Sequence, residues 1–253
     1  MLYICIPVHN EAPTIGVLLW KLRAVFQEYA REYEIIVFND GSTDATAETL
    51  AGYESVLPLT ILGGDTHVGY ATALTELFKA ASARTKYARR DAVITLQGDF
   101  TDRPELIPEF VKRFEGGADI VVGEVAAPAP EATPVPVRRL RRLAPFALRP
   151  FVRTAGISDP FGSFRLYRVS VLRDALKAAG DAPLIGGSGW ATNVDVLLSS
   201  VPHARRVELL PLEPRYDLRM RESRLRPMSD AWALFTFGRS ARRRSLNELP
   251  AKP

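Results

Sequence analysis

The chain has 253 residues, 47% hydrophobic and 25% charged, with a formal net charge of +4. Its single cysteine, Cys5, excludes a disulfide framework and lies in an apolar run, where we expect a buried structural thiol. No apolar run approaches the roughly 20 residues of a membrane-spanning helix, and no secretory signal precedes the first strand. We therefore expect one large α/β domain in the reducing cytoplasm, with peripheral membrane contact as an alternative.

Short apolar runs alternate with helical patterns along the first half of the chain. Apolar runs at 2–6 and 34–38 predict buried strands, and each is followed by apolar residues at helical spacing. The pattern continues with predicted strands at 59–62, 92–96 and 119–122. This alternation is typical of a mostly parallel sheet covered by helices.

The alternation stops at residues 126–137, a stretch of Ala and Pro that predicts an extended, mobile loop. Beyond it, residues 163–167 and 206–210 predict strands, with a helix at 190–198 between them. We expect one domain over residues 1–226, which includes the loop and a basic amphipathic segment at 126–153. Residues 227–253 are expected to form a C-terminal helix and a basic tail.

Two of the predicted strands end in dense polar segments. The first runs into Pro7-Val8-His9-Asn10-Glu11, and the second runs into Asn39-Asp40-Gly41-Ser42-Thr43-Asp44. In an open α/β sheet, the carboxyl ends of neighbouring strands form the crevice in which ligands bind. Glu11 and Asp40 therefore indicate a ligand with hydrogen-bond donors, such as a nucleotide base and ribose.

Several common sites are excluded or disfavoured by the absence of their motifs. Neither G-x-x-x-x-G-K-[ST] nor G-x-G-x-x-G occurs, so a kinase-type loop and a dinucleotide-binding fold are disfavoured. The three histidines are scattered without further cysteines, so a zinc site is not expected. Acids remain at three strand ends, Glu11, Asp40 and Asp99, and such oxygen ligands suit a divalent cation that binds a diphosphate.

Each of these acids has an alternative interpretation as a solvated turn residue or a helix cap. For Asp44 and Asp102 we predict capping, with Asp102 and Glu105 forming a capping box at the start of a helix.

Taken in order, the motifs resemble those of family-2 glycosyltransferases of the GT-A fold. Within that family, the chain looks most similar to polyprenol-phosphate (dolichol-phosphate) hexosyltransferases. The resemblance spans about residues 2–226, and the segments that carry it are the two polar tips, Gly69 with Ala73, Gly98-Asp99 ahead of Pro104-Glu105, Asp159-Pro160-Phe161-Gly162-Ser163-Phe164-Arg165, and Arg219-Met220-Arg221-Glu222-Ser223-Arg224. The implied fold is GT-A-like (Rossmann-like), a mostly parallel sheet with helices on both faces.

The resemblance also implies a function and a set of roles. The expected activity is inverting transfer of a sugar from a GDP- or UDP-linked donor to a polyprenyl phosphate at a membrane surface, with Mg²⁺ or Mn²⁺ as cofactor. Asp99, assisted by Gln97, would bind the metal. The remaining implied roles are nucleotide-sugar binding for Pro7, His9, Glu11, Asp40, Gly98 and Asp99, and phosphate binding for Arg219, Ser223 and Arg224, with Asp99 and Arg219 also catalytic.

The chain departs from the family pattern at three places. Asn39-Asp40 stands where the family usually has two acids, and Gln97-Gly98-Asp99 stands where it has Asp-x-Asp. Glu124-Val125 follows the glycine of the fifth strand, where an arginine is common. Because Gln97 removes a negative charge, metal binding should depend more on the substrate's phosphates. These departures favour, as an alternative, a non-catalytic relative that binds a nucleotide sugar.

The acceptor decides whether a general base is needed. A sugar hydroxyl would require one, and Asp195 is the candidate by motif order. A phosphate monoester is already anionic at neutral pH and would need none. A soluble hydroxyl acceptor with the same donor therefore remains open beside the lipid phosphate, and so does a purely structural role for Asp195.

The basic segment at 138–153 interleaves arginines with apolar residues. Such a segment either lies on an anionic membrane or forms a solvated or dimer-packing helix pair. Nucleic-acid binding is not expected, because no recognition module accompanies the arginines.

Overall fold

The computed structural model describes residues 1–125, 135, 138–139, 156–213 and 232–238. These described residues form one seven-stranded sheet, composed of β1 (Leu2–Val8), β2 (Tyr33–Asp40), β3 (Leu59–Gly64), β4 (Ala92–Thr95), β5 (Ile120–Val125), β6 (Arg165–Arg168) and β7 (Val207–Leu212). The helices are α1 (Ala12–Glu28), α2 (Thr46–Ala51), α3 (Tyr70–Arg84), α4 (Ile107–Glu115), α5 (Val169–Ala179) and α6 (Trp190–Ser200). Two 3-10 turns span Pro104–Leu106 and Val201–His203, and residues 232–238 are helical.

The strand order is β3-β2-β1-β4-β6-β5-β7. Strands β3, β2, β1 and β4 are parallel to one another, β6 is antiparallel to both β4 and β5, and β7 is parallel to β5. Since β2 lies on one side of β1 and β4 on the other, the winding direction reverses between β1 and β4. In open α/β sheets, ligands bind beyond the carboxyl ends of the strands at such a reversal.

The core is divided between the two faces of the sheet. Because strand side chains alternate in direction, Tyr3 and Cys5 of β1 face one cluster while Ile4 and Ile6 face the other. Helices α3, α5, α6 and 232–238 cover the first face, and α1 and α4 cover the second. The predicted α/β class, with helices on both faces of a mostly parallel sheet, is therefore confirmed.

Cys5 is a packing residue, as predicted. It is fully buried among apolar side chains, and this burial raises the pKa of its thiol, which disfavours the reactive thiolate.

Asp102 does not cap the following helix, contrary to the prediction. The loop from residue 97 to residue 102 closes on itself, so that the Gln97 N–H donates to Asp102 Oδ2 (3.0 Å). The 3-10 turn that starts at Pro104 has no side-chain cap, and Glu105 forms an ion pair with Lys21 (3.0 Å) instead of a capping box.

Asp44 lies one residue before the N-cap position of α2, which is Ala45. Its carboxylate nevertheless accepts from the N–H of Thr46 (3.0 Å), the first residue of α2, and from the N–H of Ala12 (3.2 Å), the first residue of α1. Desolvation opposes ionisation of Asp44, but these hydrogen bonds prevail and lower its pKa. One carboxylate thus stabilises the starts of two helices.

Several predicted features lie outside the described residues. They are the Ala/Pro loop and most of the basic segment at 126–153, of which residues 135, 138 and 139 are helical, the arginine loop with Arg219, Ser223 and Arg224, and the tail beyond residue 238. Within the part of the chain that the structure describes, no helix is both long and apolar enough to cross a bilayer.

Candidate active site

The polar tips of β1, β2 and β4 lie side by side at the carboxyl edge of the sheet. The parallel register pairs Val8 with Asn39 and Cys5 with Thr95, so the segments that follow these residues leave the sheet at the same edge. The side chains of Glu11, Asp40 and Asp99 are all at least 95% buried. The structure therefore places the three predicted acids around one edge of the sheet, at and beside the reversal point.

The tips of β1 and β4 are joined through Thr14. Its hydroxyl lies 2.9 Å from the carbonyl oxygen of Gly98 and 3.3 Å from Glu11 Oε2. A Cβ atom at Gly98 would come within 2.8 Å of Val8 Cγ1 and 3.4 Å of Glu11 Cγ. Only a glycine allows this close approach, which explains why Gly98 stands between the two tips.

The tips of β1 and β2 are joined by their loops. The Asn10 N–H donates to Ser42 Oγ (3.0 Å), and the Thr43 N–H donates to Asn10 Oδ1 (2.7 Å). Asn39 Oδ1 accepts from the Ser42 N–H (3.2 Å), a bond that an aspartate could also accept. Asn10 adopts a φ of +52°, which asparagine tolerates better than most residues.

Asp40 has a structural role that the sequence analysis did not predict. Its Oδ1 accepts from the N–H of Val68 (2.6 Å), and its Oδ2 accepts from the N–H of Gly69 (3.1 Å), directly before α3. A carboxylate at a helix N-terminus is favourable because it satisfies orphan donors and complements the helix dipole. Any ligand of Asp40 would therefore share its carboxylate with the start of α3.

Two histidines meet at the backbone carbonyl of Asp40. The Nδ1 atoms of His9 and His67 lie 2.6 and 3.1 Å from this oxygen, and the ring centroids are 4.5 Å apart. Because a carbonyl oxygen only accepts hydrogen bonds, both rings must carry a proton on Nδ1. His67, which the sequence analysis left unassigned, thus joins the predicted residue His9 at the tip of β2.

Asp99 lies in a strained turn after β4. It is 1% exposed, and its Oδ1 accepts from the N–H of Thr101 (3.1 Å). The intervening residue, Phe100, has a φ of +60°, which is unfavourable for a bulky side chain. Strain of this kind persists only where surrounding contacts enforce it, and it often marks functional sites.

Arg165 is a second feature that the sequence analysis missed as a site element. It is 1% exposed at the start of β6, opposite Thr95, and it donates to the carbonyl oxygens of Pro160 and Asn193 (2.6 Å each). Tyr70, at the start of α3, contacts the same asparagine, since its hydroxyl donates to Asn193 Oδ1 (3.0 Å). An arginine inside an otherwise apolar strand pattern was the available signal.

Asp195 lies on α6, and it is 1% exposed. Its Oδ2 accepts from the N–H groups of Gly186 (2.7 Å) and Gly187 (3.2 Å). These bonds fix the glycine-rich turn that precedes α6. Asp195, the candidate general base, therefore also positions this turn, and its role as a base stays a prediction.

Comparison with known protein families shows to which family the chain belongs. Residues 3–176, more than half of its length, match the sequence model of glycosyl transferase family 2. The chain belongs to this family. The resemblance noted from the motifs is therefore confirmed at the level of family.

Curated relatives of this family-2 member match part of the chain. An uncharacterised glycosyltransferase of Synechocystis, sll0501, is 37% identical over 121 residues, which is 47% of this chain and 36% of that protein. An undecaprenyl-phosphate 4-deoxy-4-formamido-L-arabinose transferase of Pseudomonas fluorescens is 33% identical over 118 residues, 47% of this chain and 33% of that protein. The match spans only about a third of the length of these relatives.

Solved structures agree in fold. Glucosyl-3-phosphoglycerate synthase of Mycobacterium tuberculosis, in complex with Mn²⁺, UDP and phosphoglyceric acid, superposes with a TM-score of 0.62 at 16% identity, covering 96% of this chain and 78% of that one. S. aureus TarS 1-349 in complex with UDP-GlcNAc superposes with a TM-score of 0.58 at 16% identity, covering 90% and 60%. At such low identity, these likenesses establish the fold alone, and they confirm the predicted GT-A-like architecture.

The donor set of this family-2 chain limits how a divalent cation could bind. Among the described residues, no three His, Cys, Asp or Glu side chains are grouped so that they could hold a metal ion. Asp99 and the amide oxygen of Gln97 supply at most a partial shell, whereas Mg²⁺ prefers six oxygen ligands. These residues fit a cation that arrives with phosphate oxygens of its own, and they do not fit one held by protein alone.

Glu124 explains one departure from the family pattern. Its Oε1 accepts from the Ser158 N–H (2.5 Å), and its Oε2 accepts from Ser158 Oγ (3.0 Å). Oε1 also lies 3.3 Å from the N–H of Asp159. An arginine at this position could not accept these bonds, so the glutamate is matched to the turn that precedes β6.

Proposed function

We propose that the protein is an inverting glycosyltransferase that moves a sugar from a nucleoside-diphosphate sugar to a polyprenyl phosphate, with Mg²⁺ or Mn²⁺ as cofactor. The observation that carries the proposal is the convergence of Glu11, Gly98 and Asp99 at the reversal point between β1 and β4. Membership of glycosyl transferase family 2 and the name of the Pseudomonas fluorescens relative support the reaction and the lipid-phosphate acceptor.

The donor would bind along the edge formed by β2, β1 and β4. Pro7, His9, Glu11 and Asp40 are the proposed contacts to base and ribose, and Gly98 and Asp99 are the proposed contacts to the diphosphate. Both solved structures contain UDP or a UDP-sugar, so UDP-linked donors are the first to test.

The reacting end of the donor would lie at Asp99. A bound cation would supply charge neutralisation of the leaving diphosphate, held by Asp99, Gln97 and the donor's phosphates. Arg219, Ser223 and Arg224 are proposed to bind the diphosphate or the acceptor phosphate, because guanidinium groups form charge-assisted bonds with phosphate oxygens. Asp99 and Arg219 would thus stabilise the charge that develops during transfer.

The test is donor binding followed by transfer. Thermal shifts with UDP- and GDP-sugars, with and without Mn²⁺, should show a metal-dependent rise in stability for one donor. Asp99→Asn should remove this rise and lower transfer to polyprenyl phosphate by roughly a hundredfold or more.

The matched control is Asp174→Asn, an exposed carboxylate on α5 that should leave both binding and transfer unchanged. Equal activity of Asp99→Asn and the wild type would refute the assignment of Asp99. Donor binding without any transfer or donor hydrolysis would instead identify a non-catalytic relative.

A soluble hydroxyl acceptor is the second candidate. It is favoured by the buried carboxylate of Asp195 on α6 and by the phosphoglyceric acid in the Mycobacterium tuberculosis relative. Asp195→Asn retains the oxygen that accepts from Gly186 and Gly187 but cannot act as a base. A loss of transfer of roughly a hundredfold or more in this variant would favour the hydroxyl acceptor, and unchanged transfer would favour the lipid phosphate.

A further inference from the structure

The helix at residues 232–238 has two different faces. Leu234 is fully buried and Phe237 is 8% exposed, and both pack in the core cluster that α3, α5 and α6 share. On the outer side, Trp232 is 67% exposed and Phe235 is 37% exposed. Their ring centroids are 5.8 Å apart, so the two rings form one continuous aromatic surface. We name Trp232 and Phe235 the aromatic face.

The sequence around the aromatic face is strongly basic. Residues 214–244 contain nine arginines and three acids, and four of the arginines follow the helix within six residues: Arg239, Arg242, Arg243 and Arg244. Exposed tryptophan next to clustered arginine is the composition of protein segments that lie at the surface of anionic membranes. In such segments, aromatic rings enter the interface between head groups and acyl chains, while arginines bind lipid phosphates.

We propose that the aromatic face docks the protein on a bilayer that contains anionic phospholipids. A second copy of the chain is the other apolar partner to consider, but a stable dimer buries about 800 Å² on each subunit, far more than two side chains provide. A membrane needs no such area, because each aromatic ring contributes separately and the arginines add electrostatic attraction.

The position of the aromatic face in the fold is consistent with a lipid acceptor. The aromatic face belongs to the helix that packs on the same side of the sheet as α6, which carries Asp195. In this respect the inference extends the proposed function, but binding to a membrane can be measured without nucleotide sugar or acceptor. Failure of membrane binding and failure of sugar transfer are therefore distinguishable.

The first experiment is co-sedimentation of the full chain with unilamellar vesicles of phosphatidylglycerol and phosphatidylcholine, compared with phosphatidylcholine alone. The wild type should bind the anionic vesicles, and Trp232→Ala should lower its partition coefficient roughly tenfold. Phe235→Ser should lower it by a smaller factor, since Phe235 is less exposed.

Trp20→Ala is the matched control. Trp20 is 60% exposed on α1, which covers the opposite face of the sheet, so its removal should leave partitioning unchanged. The inference is overturned if Trp232→Ala binds as well as the wild type, or if Trp20→Ala loses as much binding as Trp232→Ala.

Fluorescence provides the second measurement. Phosphatidylglycerol with brominated acyl chains should quench tryptophan emission in the Trp20→Phe variant and should quench it much less in Trp232→Phe. Equal quenching in both variants would contradict insertion of Trp232. A dimer that Trp232→Ala converts to a monomer, without any vesicle binding by the wild type, would identify a second copy as the partner and also overturn the inference.

Discussion

The parallel half of the sheet, β3-β2-β1-β4, and the half that follows, β6-β5-β7, position their polar side chains in different ways. In the parallel half, neighbouring tips are joined by many small contacts, such as those of Asn10 with Ser42 and Thr43 and of Thr14 with Gly98. These contacts link the loops and helix starts that follow adjacent strands, and they are shared among several side chains.

In the second half, single side chains join segments that are distant in sequence. The buried Arg165 connects the turn at Pro160 with α6, and the half-buried Glu124 of β5 binds the turn at Ser158. Removal of one such side chain breaks several contacts together. We therefore expect the parallel half to lose less stability than the second half when a single polar side chain is removed.

The largest effect is expected for Arg165→Ala. The variant leaves the carbonyls of Pro160 and Asn193 without their donor and opens a cavity in the core, which together should cost about 3 to 5 kcal/mol of unfolding free energy. Urea denaturation measures the loss. The control is Arg23→Ala, at an exposed position on α1, which should change the unfolding free energy by less than about 0.5 kcal/mol. An equally small effect of Arg165→Ala would contradict the proposed difference between the two halves.

Gly98→Ala tests the closest approach in the parallel half. The new methyl group would overlap Val8 Cγ1, so the tips of β1 and β4 must separate at a cost of about 1 to 3 kcal/mol. Gly64→Ala is the matched substitution, because no atom lies within 4 Å of its added Cβ. Chemical denaturation of both variants gives the comparison, and similar stabilities would show that the tips are not tightly packed.

Tyr70→Phe tests the link between the halves. The change removes one hydrogen bond, from the Tyr70 hydroxyl on α3 to Asn193 Oδ1 on α6, and should cost about 1 kcal/mol. Tyr87→Phe, at a tyrosine that is 61% exposed, should have no measurable effect on thermal unfolding. A neutral Tyr70→Phe would mean that the two halves are coupled by apolar packing alone.

The smallest effect is expected from Asp44. Because its pKa is lowered in the folded protein, its stabilisation is complete above the ordinary value of 3.8 and is lost as the pH falls below 3.8 through the folded pKa. Asp44 is exposed, so Asp44→Asn should destabilise by only a few tenths of a kcal/mol at about pH 6. Denaturation across this range should show the difference from wild type shrinking in acid, and a constant difference would contradict the ionic origin.

The sequence predicted the parallel half well, because strand, polar tip and helix follow one another there within a few residues. Glu11, Asp40 and Asp99 came to one edge of the sheet as the strand order required. The role of the Asp40 carboxylate at α3 was missed, because its donors Val68 and Gly69 follow a different strand. A local sequence pattern does not reveal hydrogen bonds between residues that follow different strands.

The second half was less predictable for the same reason. The antiparallel placement of β6 between β4 and β5 and the partners of Arg165 depend on contacts between residues far apart in the chain. Asp102 illustrates the limit in a short segment, since its spacing to Glu105 matched a capping box but closure of the loop to Gln97 determined its partner.

The carboxylate of Asp40 has a further consequence. The amide hydrogens of Val68 and Gly69 are protected from exchange with solvent only while they donate to this group. A ligand that binds the Asp40 carboxylate oxygens competes with these two amides and should speed their exchange. A ligand that leaves both hydrogen bonds intact should slow it. The exchange rates of these two amides therefore form an internal reporter of occupancy, readable without any knowledge of the acceptor.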